Sequence, residues 1–228
     1  KKLIKYPRVA LTSASQDGYV LTSSGDLNSS YPKHEAFNGV YDVGNTGISE
    51  GWISSTFSTS TFTGAPSGSQ NGAWLGIQLP VKIKLQRVYM DQRYASAGQE
   101  YNKDTVIYAS NDGNTWDNIL EFDSSSSEFF TAFVNASTYY NRYVFHVTSV
   151  NHPYGYACFN ELELYGVPEY DPDADGTDVV VRSVPNVPNT DWLQVYYDGQ
   201  DYTSMPSSVT DKSGNGVTGT PNGGVGFD

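Results

Sequence analysis

One stretch of the chain decides its predicted fold: Val106-Ile107-Tyr108-Ala109-Ser110-Asn111-Asp112-Gly113-Asn114-Thr115-Trp116. Its first part is rich in β-branched and aromatic residues, which favours a strand. Asn-Asp-Gly then favours a tight turn, because these residue types accept the positive φ that short connections between antiparallel strands require. Trp116 follows the turn at a position from which its ring can pack back on the sheet. The stretch therefore predicts a β-hairpin.

The composition of the 228 residues agrees with a fold made of sheet. Hydrophobic residues make up 38%, yet aromatic residues reach 14%, and the chain contains 18 Tyr and 22 Gly. A Tyr-rich, Gly-rich chain with few charged residues favours strands joined by many turns over helix bundles. The length fits one large domain, or one domain with part of another. No apolar run reaches the roughly 18 residues of a membrane span, so we expect none.

The net charge of −12 makes some classes of binding partner improbable for this chain. Nucleic acids and anionic lipid surfaces attract basic proteins, so we expect this acidic chain to bind neither. Neutral glycans and divalent cations are compatible with the charge. The single cysteine, Cys158, excludes an internal disulfide, and its setting beside a strand pattern predicts a small buried hydrophobe.

Alternation of apolar and polar residues predicts a series of short strands over the first 167 residues. The clearest segments are Trp74–Pro80, Leu85–Met90, Thr105–Ala109, Tyr143–Val147 and Glu161–Tyr165. The alternation places Leu162 and Leu164 toward a core, with Glu161 and Glu163 facing outward or toward a site. No segment has a long 3.6-residue period, and the spacing is short and rich in turns. The chain is therefore expected to be all-β, as a sandwich or jelly roll.

A change of composition after Gly166 predicts the domain boundaries. Residues 1–167 are expected to form the first domain, 168–190 an acidic, proline-containing linker, and 191–228 the truncated start of a second β unit. Within the linker, alternate aspartates imitate the first half of an EF-hand calcium loop. Arg182 stands where that loop requires a bidentate glutamate, so we favour a solvated linker over a calcium site there.

Five segments, in the same order along the chain, resemble the discoidin family, also called coagulation factor 5/8 type C. They are Ala36–Gly39 with Gly51–Ser54, then Trp74–Leu79, Ser110–Trp116, Arg142–Val144 and Asn160–Gly166. The resemblance implies an eight-stranded antiparallel jelly-roll β-sandwich of the galactose-binding-like type, with binding loops at one end. Residues 191–228 resemble the opening of a laminin-G or concanavalin-like domain. Proteins of the discoidin family bind sugars or lipids and catalyse no reaction.

The same resemblance implies a structural Ca²⁺ near the Asn38 turn, with Asn38, Asp42 and Glu161 as its ligands. The family usually has an aspartate where this chain has Asn38. An amide oxygen can bind calcium, but the exchange removes one negative charge and weakens the expected site. The alternative is that Asn38 only forms the turn and Glu161 pairs with a nearby side chain.

Two loops carry the residue types that a sugar site requires. A pyranose needs an aromatic ring for its apolar face and planar polar groups for its hydroxyls. The loops at 91–102 and 149–156, with a third side near Tyr31, supply both chemistries. The candidate ligand-binding residues are Arg93, Tyr94, Asn151, His152, Tyr154, Tyr156 and His34. The alternative is that these tyrosines are ordinary surface residues and that Arg93 caps an acidic loop.

No nucleophile elbow, zinc-protease motif or phosphate-binding loop is present, so we expect no catalysis. The first hypothesis is a glycan-binding adhesion module, lectin-like, within a larger extracellular or virion surface protein. The second is a structural module of a viral particle that contacts neighbouring protein chains. The third is an accessory carbohydrate-binding domain of a glycoside hydrolase.

Overall fold

The computed structural model describes residues 3–41, 51–95, 98–151, 155–169, 195, 197, 201–204, 206–213 and 215–221, and for 94, 95 and 98–100 the backbone alone. The chain divides into two compact units, Lys1–Asp171 and Pro172–Asp228. The boundaries expected from the sequence, at 167 and 190, remain predictions, since most of the expected linker lies outside the described residues. None of the described helices has the length and apolar character needed to cross a membrane.

The first unit consists of short strands, with 3-10 turns at Lys33–Phe37 and Phe57–Thr59. The strands are β1 (Ile4–Tyr6), β2 (Ser15–Gln16), β3 (Tyr19–Ser23), β4 (Trp52–Ile53), β5 (Thr61–Phe62), β6 (Gln70–Asn71), β7 (Ala73–Asp91), β8 (Arg93–Ala95), β9 (Gly98–Asn102), β10 (Asp104–Ser110), β11 (Asp117–Asp123), β12 (Phe129–Phe133), β13 (Tyr140–Val147), β14 (Val150–Asn151), β15 (Cys158–Phe159) and β16 (Glu161–Pro168). Every strand pairing in the described residues is antiparallel. The all-β, antiparallel prediction is confirmed.

The long strand β7 organises the main sheet, whose order is β1-β16-β7-β13-β10-β11. Its first half pairs with β3 and β13, and its second half pairs with β16 and β12. The sequence predicts two strands here, but the structure has one of 19 residues. Pro80 lies between Gln78, the last residue of β7 that faces β3, and Ile83, where β16 begins to pair. A proline is tolerated there because no neighbouring strand needs its missing N–H.

The core lies on the face that the alternation predicts. Leu75, Ile77 and Leu79 from the first half of β7 are buried in one cluster with Val88 and Met90 from the second half. Burial of such side chains stabilises the fold by about 1.5–3 kcal/mol each relative to exposure.

Both glutamates of β16 are also buried, although the alternation allowed them to face outward. Glu161 is 2% exposed and Glu163 is 6% exposed, while Leu162 and Leu164 face the core as predicted. The outer face of β16 is therefore covered rather than open to water. Cys158 is buried, as expected.

The turn between β10 and β11 forms as the opening stretch predicts. The carboxylate of Asp112 accepts the backbone N–H groups of Asn114 and Thr115, both at 2.8 Å. These bonds, first that from Thr115, lower the pKa of Asp112 to about 2. Gly113 has a φ of +78°, which a glycine adopts without strain. The ring of Trp116 packs back toward the sheet, with its Nε1 donating to the Gly113 carbonyl at 3.1 Å.

The second unit shows one isolated pairing between described residues. Val209 and Gly219 exchange two backbone hydrogen bonds of 2.8 and 3.0 Å. Asp211 accepts the backbone N–H of Ser213 at 2.8 Å, a local bond typical of an Asx turn. A strand is also predicted at 193–199; only residues 195 and 197 of that segment are described, and neither belongs to a strand.

Candidate functional site

The first predicted binding loop is held at its base by two buried amides. Gln92 donates from Nε2 to the carbonyls of Ser124 and Ser127 at 2.6 and 2.8 Å, and its Oε1 accepts the Asn102 N–H at 2.8 Å. Asn102 donates from Nδ2 to the carbonyl of Cys158 at 2.6 Å and accepts the Cys158 N–H at 3.1 Å. Since Gln92 and Asn102 are fully buried, these bonds replace water and fix the hairpin that follows.

The structure joins the two predicted binding loops in one small sheet. β9 pairs with β8 on one side and with β14 on the other. Arg93 of β8 faces Glu100, and Asn151 of β14 faces Tyr101. Arg93 is only 7% exposed, whereas Asn151 is exposed to solvent. We call this region, where residues 92–95, 98–102 and 150–151 meet beside Tyr31, the loop end.

Arg93 contacts the third predicted side of the site. Its guanidinium carbon lies 5.3 Å from the centre of the Tyr31 ring, within the range of a cation–π contact. Tyr31 is half-buried and precedes His34 by three residues. The structure therefore brings the Tyr31 segment against β8.

A half-buried ion pair beside this segment holds it in place. Asp26 accepts from Nζ of Lys33 at 2.7 Å and from Nε1 of Trp52 at 3.0 Å. Trp52 is fully buried and stacks on Phe159, with ring centres 5.9 Å apart and planes 12° apart. Trp52 belongs to β4 and Phe159 belongs to β15. The hydrogen bond to Trp52 and its stack on Phe159 therefore connect the Tyr31 segment to β15, the strand that follows the second predicted loop.

The remaining predicted ligand-binding residues are described only in part. His34 and Tyr156 are both half-buried. Tyr94 belongs to β8, and only its backbone is described. His152 and Tyr154 lie outside the described residues, so their roles remain predictions.

The side chain of Asn38, a predicted calcium ligand, forms hydrogen bonds within a turn. Its Nδ2 donates to Glu35 Oε2 at 2.6 Å, and its Oδ1 accepts the Val40 N–H at 2.8 Å. Glu161 accepts the N–H of Gly39 at 3.0 Å. The described hydrogen bonds thus match the alternative in which Asn38 forms the turn, while Glu161 pairs with a backbone group rather than with a side chain.

Glu161 and Glu163 occupy the same face of β16 but differ in charge state. Burial raises the pKa of Glu161 to about 9, and the Gly39 N–H only partly opposes this rise. Burial also disfavours ionisation of Glu163, but hydrogen bonds from Tyr165, Tyr41 and Lys5 hold its pKa below the ordinary value. The Tyr165 hydroxyl donates to Glu163 Oε2 at 2.6 Å, and Nζ of Lys5 lies 3.0 Å from Oε1.

The residues present give limited support for calcium. Within the described ranges, no set of three or more His, Cys, Asp or Glu side chains is arranged to hold a metal ion. Glu161 supplies a buried carboxylate, but Asn38 has its amide oxygen in use, and Asp42 lies outside the described residues. The calcium site remains a prediction, and no further step is derived from it.

A cleft of about 440 Å³ opens on the outer face of the main sheet, and the sequence analysis did not predict it as a site. It lies over the first half of β7, between β3 and β13, and is bordered by the β10–β11 turn. We call it the sheet-face cleft. Its lining residues are Val20, Thr22, Phe62, Thr63, Gly64, Trp74, Ile77, Gln78, Gly113, Asn114, Trp116, Arg142, Tyr143 and Val144.

Three aromatic rings form one wall of the sheet-face cleft. Phe62 lies between Trp74 and Trp116, with ring centres 5.8 and 5.5 Å apart and planes tilted by 60° and 79°. Behind it, Phe62 stacks on Tyr108 at 5.1 Å. Phe62 is buried, whereas Trp74 and Trp116 are half-buried. The tryptophans therefore present ring surface to the cleft from a packed base.

The polar side chains of the cleft are amides, hydroxyls and one guanidinium. Gln78 and Arg142 face each other on β7 and β13, and Val20 lies beside Gln78 on β3. Arg142 is the only charged residue of the lining, although the chain carries 25 Asp and Glu residues. The cleft is thus free of carboxylates within an acidic protein.

A sequence signal for the cleft did exist. Trp74, Gly76 and Gln78 alternate with the core residues Leu75 and Ile77, so they share the outer face of one strand. A large aromatic residue and an amide on the outer face, on either side of a glycine, indicate a partly covered surface that could bind a ligand. The partners from residues 62–64 and 113–116 come from separate loops, and their approach cannot be read from local periodicity.

Comparisons with known proteins give neighbours only at the level of structure. No protein-family model matches the sequence, and no curated protein matches it. The family 32 carbohydrate-binding module of Clostridium perfringens NanJ, in complex with galactose, is 13% identical with a TM-score of 0.48 over 65% of this chain and 93% of that chain. Chitosan-binding module 1 of a chitosanase/glucanase from Paenibacillus sp. IK-5 is 18% identical with a TM-score of 0.48, over 65% and 96%.

A third neighbour is module CBM32-3 of a family 31 glycoside hydrolase from Clostridium perfringens. It is 15% identical with a TM-score of 0.49, over 69% of this chain and all of that chain. Two of the three neighbours are family 32 carbohydrate-binding modules. At these identities and TM-scores, their ligands say nothing by themselves about the ligand of this chain.

Proposed function

We propose that the chain is a non-catalytic carbohydrate-binding module that recognises glycans through its loop end. The observation that carries the proposal is the pairing of β9 with both β8 and β14, which joins the two predicted binding loops beside Tyr31. The proposal also rests on the sequence resemblance to the discoidin family. We also propose that the module belongs to a larger extracellular or surface protein, such as a virion fibre.

The chemistry of the loop end suits a sugar. Tyr31 offers a ring to the apolar face of a pyranose, and Asn151 offers a planar amide to its hydroxyls. The cation–π contact to Arg93 and the buried bonds of Gln92 hold these groups before any ligand arrives. Such preorganisation lowers the entropy cost of binding. Weak binding at one site would be raised by several copies of the module.

The test is affinity electrophoresis in gels that contain galactan, xyloglucan, xylan or polygalacturonate. The wild-type chain is expected to be retarded by at least one of these polysaccharides. Arg93→Ala and Asn151→Ala should lose that retardation, and circular dichroism should show that the fold is kept. Phe133→Ala is the control, because Phe133 is 77% exposed and belongs to neither site. Retardation that survives both loop-end variants would place the sugar elsewhere.

A second candidate function is that of a structural module that contacts neighbouring protein chains. The exposed phenylalanines of β12 favour it. Phe129 and Phe133 are 42% and 77% exposed on this strand, which pairs only with β7 among the described residues. Exposed apolar surface on a strand edge is typical of contacts with another chain. Sedimentation velocity distinguishes the two functions: self-association that Phe133→Ala abolishes would favour assembly.

A further inference from the structure

We propose that the sheet-face cleft is a second sugar site, which takes a pyranose ring of an extended glycan; this inference rests on the proposed function. The β10–β11 turn, which borders the cleft, and the loop end lie at opposite ends of β10. That strand begins two residues after Asn102 and ends at Ser110, just before the turn that borders the cleft. Seven residues of strand span about 20 Å. One glycan chain of several sugars can therefore reach both sites.

Thr22 and Val144 form the floor of the cleft, and Gly76 lies beneath them, between their two strands. Gly76 pairs with Thr22 on one side and with Val144 on the other. A Cβ on Gly76 would come within 2.6 Å of Thr22 Oγ1 and 3.2 Å of Val144 Cγ2. Trp74 and Gln78 project from the same face two residues before and after it. The result is a trough with an aromatic wall and an amide wall, which matches the two faces of a pyranose.

The aromatic wall is fixed before a ligand binds. Nε1 of Trp74 donates to the carbonyl of Thr61 at 3.1 Å, and Nε1 of Trp116 is bound to the turn that precedes it. A Cβ on Gly64 would come within 2.6 Å of Trp116 Cδ1, so only glycine lets the ring lie there. Because both indole N–H groups are bound to backbone, each ring offers its face rather than a polar edge.

The charge of the cleft limits what can bind there. Arg142 donates from Nη1 to the carbonyl of Asn111, which directs the guanidinium along the cleft wall. Among the described residues that line the cleft none is a carboxylate, and its polar groups are amides, hydroxyls and one guanidinium, which can pair with sugar hydroxyls. A volume of about 440 Å³ falls within the range of about 300–1,000 Å³ typical of small-ligand sites. These features together favour a sugar over an apolar peptide or a cation.

The experiment follows the four indole N–H signals of the full-length chain by ¹H–¹⁵N NMR, assigned by single Trp→Phe variants. The probes are cellohexaose, galactotetraose and tri-galacturonate. We expect at least one of them to shift the signals of Trp74 and Trp116 in a saturable way. Trp52, which is fully buried and does not line the cleft, should not follow the same titration.

Two variants of the cleft test the contacts. Gln78→Ala removes a half-buried amide without touching the core and should weaken binding about three- to tenfold. Trp116→Ala should weaken it at least about tenfold, provided that its circular dichroism shows a folded chain. Phe133→Ala should leave the indole titration unchanged, because Phe133 belongs to neither sugar site.

The outcomes separate this inference from the proposed function. Sugar binding that depends on Arg93 but leaves Trp74 and Trp116 unmoved overturns the second site and keeps the loop end. The absence of any binding, in the gels and in the titration, overturns both. Indole signals that move with protein concentration instead of sugar mean that a second copy of the chain covers the cleft, which also overturns the inference.

Discussion

At the scale of single residues, Glu161 is the group whose environment has the clearest measurable consequence. Its pKa is raised by burial from 4.5 to about 9, so the folded chain takes up a proton that the unfolded chain releases. The stability from the neutral form is fully present below about pH 4.5 and is lost as the pH rises toward about 9. The free energy of unfolding, measured by urea in EDTA, should therefore fall over this range.

Glu161→Gln tests this linkage, because glutamine keeps an acceptor for the Gly39 N–H and cannot ionise. At pH 8 the variant should be more stable than the wild type by at least about 1 kcal/mol, and the gap should close near pH 5. Glu163→Gln is the control with the opposite sign, since Glu163 has a lowered pKa and loses its contribution as the pH falls. A wild-type stability that rises with pH between about 5 and 9 would contradict the account.

The same variant examines the predicted calcium. If Ca²⁺ binds beside Glu161, adding calcium at pH 8 should raise the urea midpoint of the wild type and leave that of Glu161→Gln unchanged. A calcium response that persists in the variant would place the ion away from β16.

At this scale the sequence predicts which residues are candidates for a site better than it predicts how deeply each one is buried. Arg93, Asn151 and Glu161 follow from motif and position. The burial of Glu161 does not, because it depends on cover from the Asn38 turn, 122 residues away in the chain. An alternating strand pattern gives the side of a sheet on which a residue lies, but not whether that side is covered.

At the scale of elements, the hairpin of β8 and β9 depends on the buried amide of Gln92. Gln92→Ala leaves the Asn102 N–H and the Ser124 and Ser127 carbonyls without their partner. We expect a loss of about 2–4 kcal/mol in the free energy of unfolding, measured by urea. Gln86→Ala is a matched control, because this half-buried amide donates only to its neighbour's carbonyl at 3.3 Å. Equal losses in both variants would contradict the role of Gln92.

The turn between β10 and β11 gives a second prediction at this scale. Gly113 has a φ of +78°, and alanine is strained in that region by about 1–2 kcal/mol. Gly113→Ala should lower the free energy of unfolding by about that amount and disturb the Trp116 indole signal. Gly68→Ala, at a φ of +92° with open space around the site, separates backbone strain from disturbance of the cleft. An unchanged Trp116 signal in Gly113→Ala would show that the turn does not position the ring.

The positions of the strands can be predicted from the sequence far better than the way in which strands and loops come together. Local alternation predicts β10 to within one residue at each end, whereas β13 begins three residues earlier and β16 ends three residues later than predicted. It splits β7 in two, because Pro80 is a strand breaker by composition, and its place in the gap between the β3 and β16 pairings is not visible in the local pattern. The convergence of residues 62–64 and 113–116 on the outer face of β7 is a tertiary fact, and no local rule predicts it.

At the scale of the whole molecule, the chain consists of two compact units. The first contains both proposed sugar sites and the large buried cluster. A fragment that ends at Asp171 should therefore unfold cooperatively, with the urea midpoint of the first transition of the full chain. The second unit, with one isolated bridge among its described residues, should contribute little to that transition. A fragment that fails to fold would show that the first unit depends on the rest of the chain.

The central claim is that this acidic all-β chain binds sugars and does so at preformed surfaces. Its most direct test is binding of the tetramerised full-length chain to an array of neutral and uronate-bearing glycans, at physiological salt, with and without calcium. The account predicts selective binding to a related set of glycans, reduced by Arg93→Ala and by Gln78→Ala but not by Phe133→Ala. Absence of binding to every glycan, with a folded chain in both conditions, would contradict it.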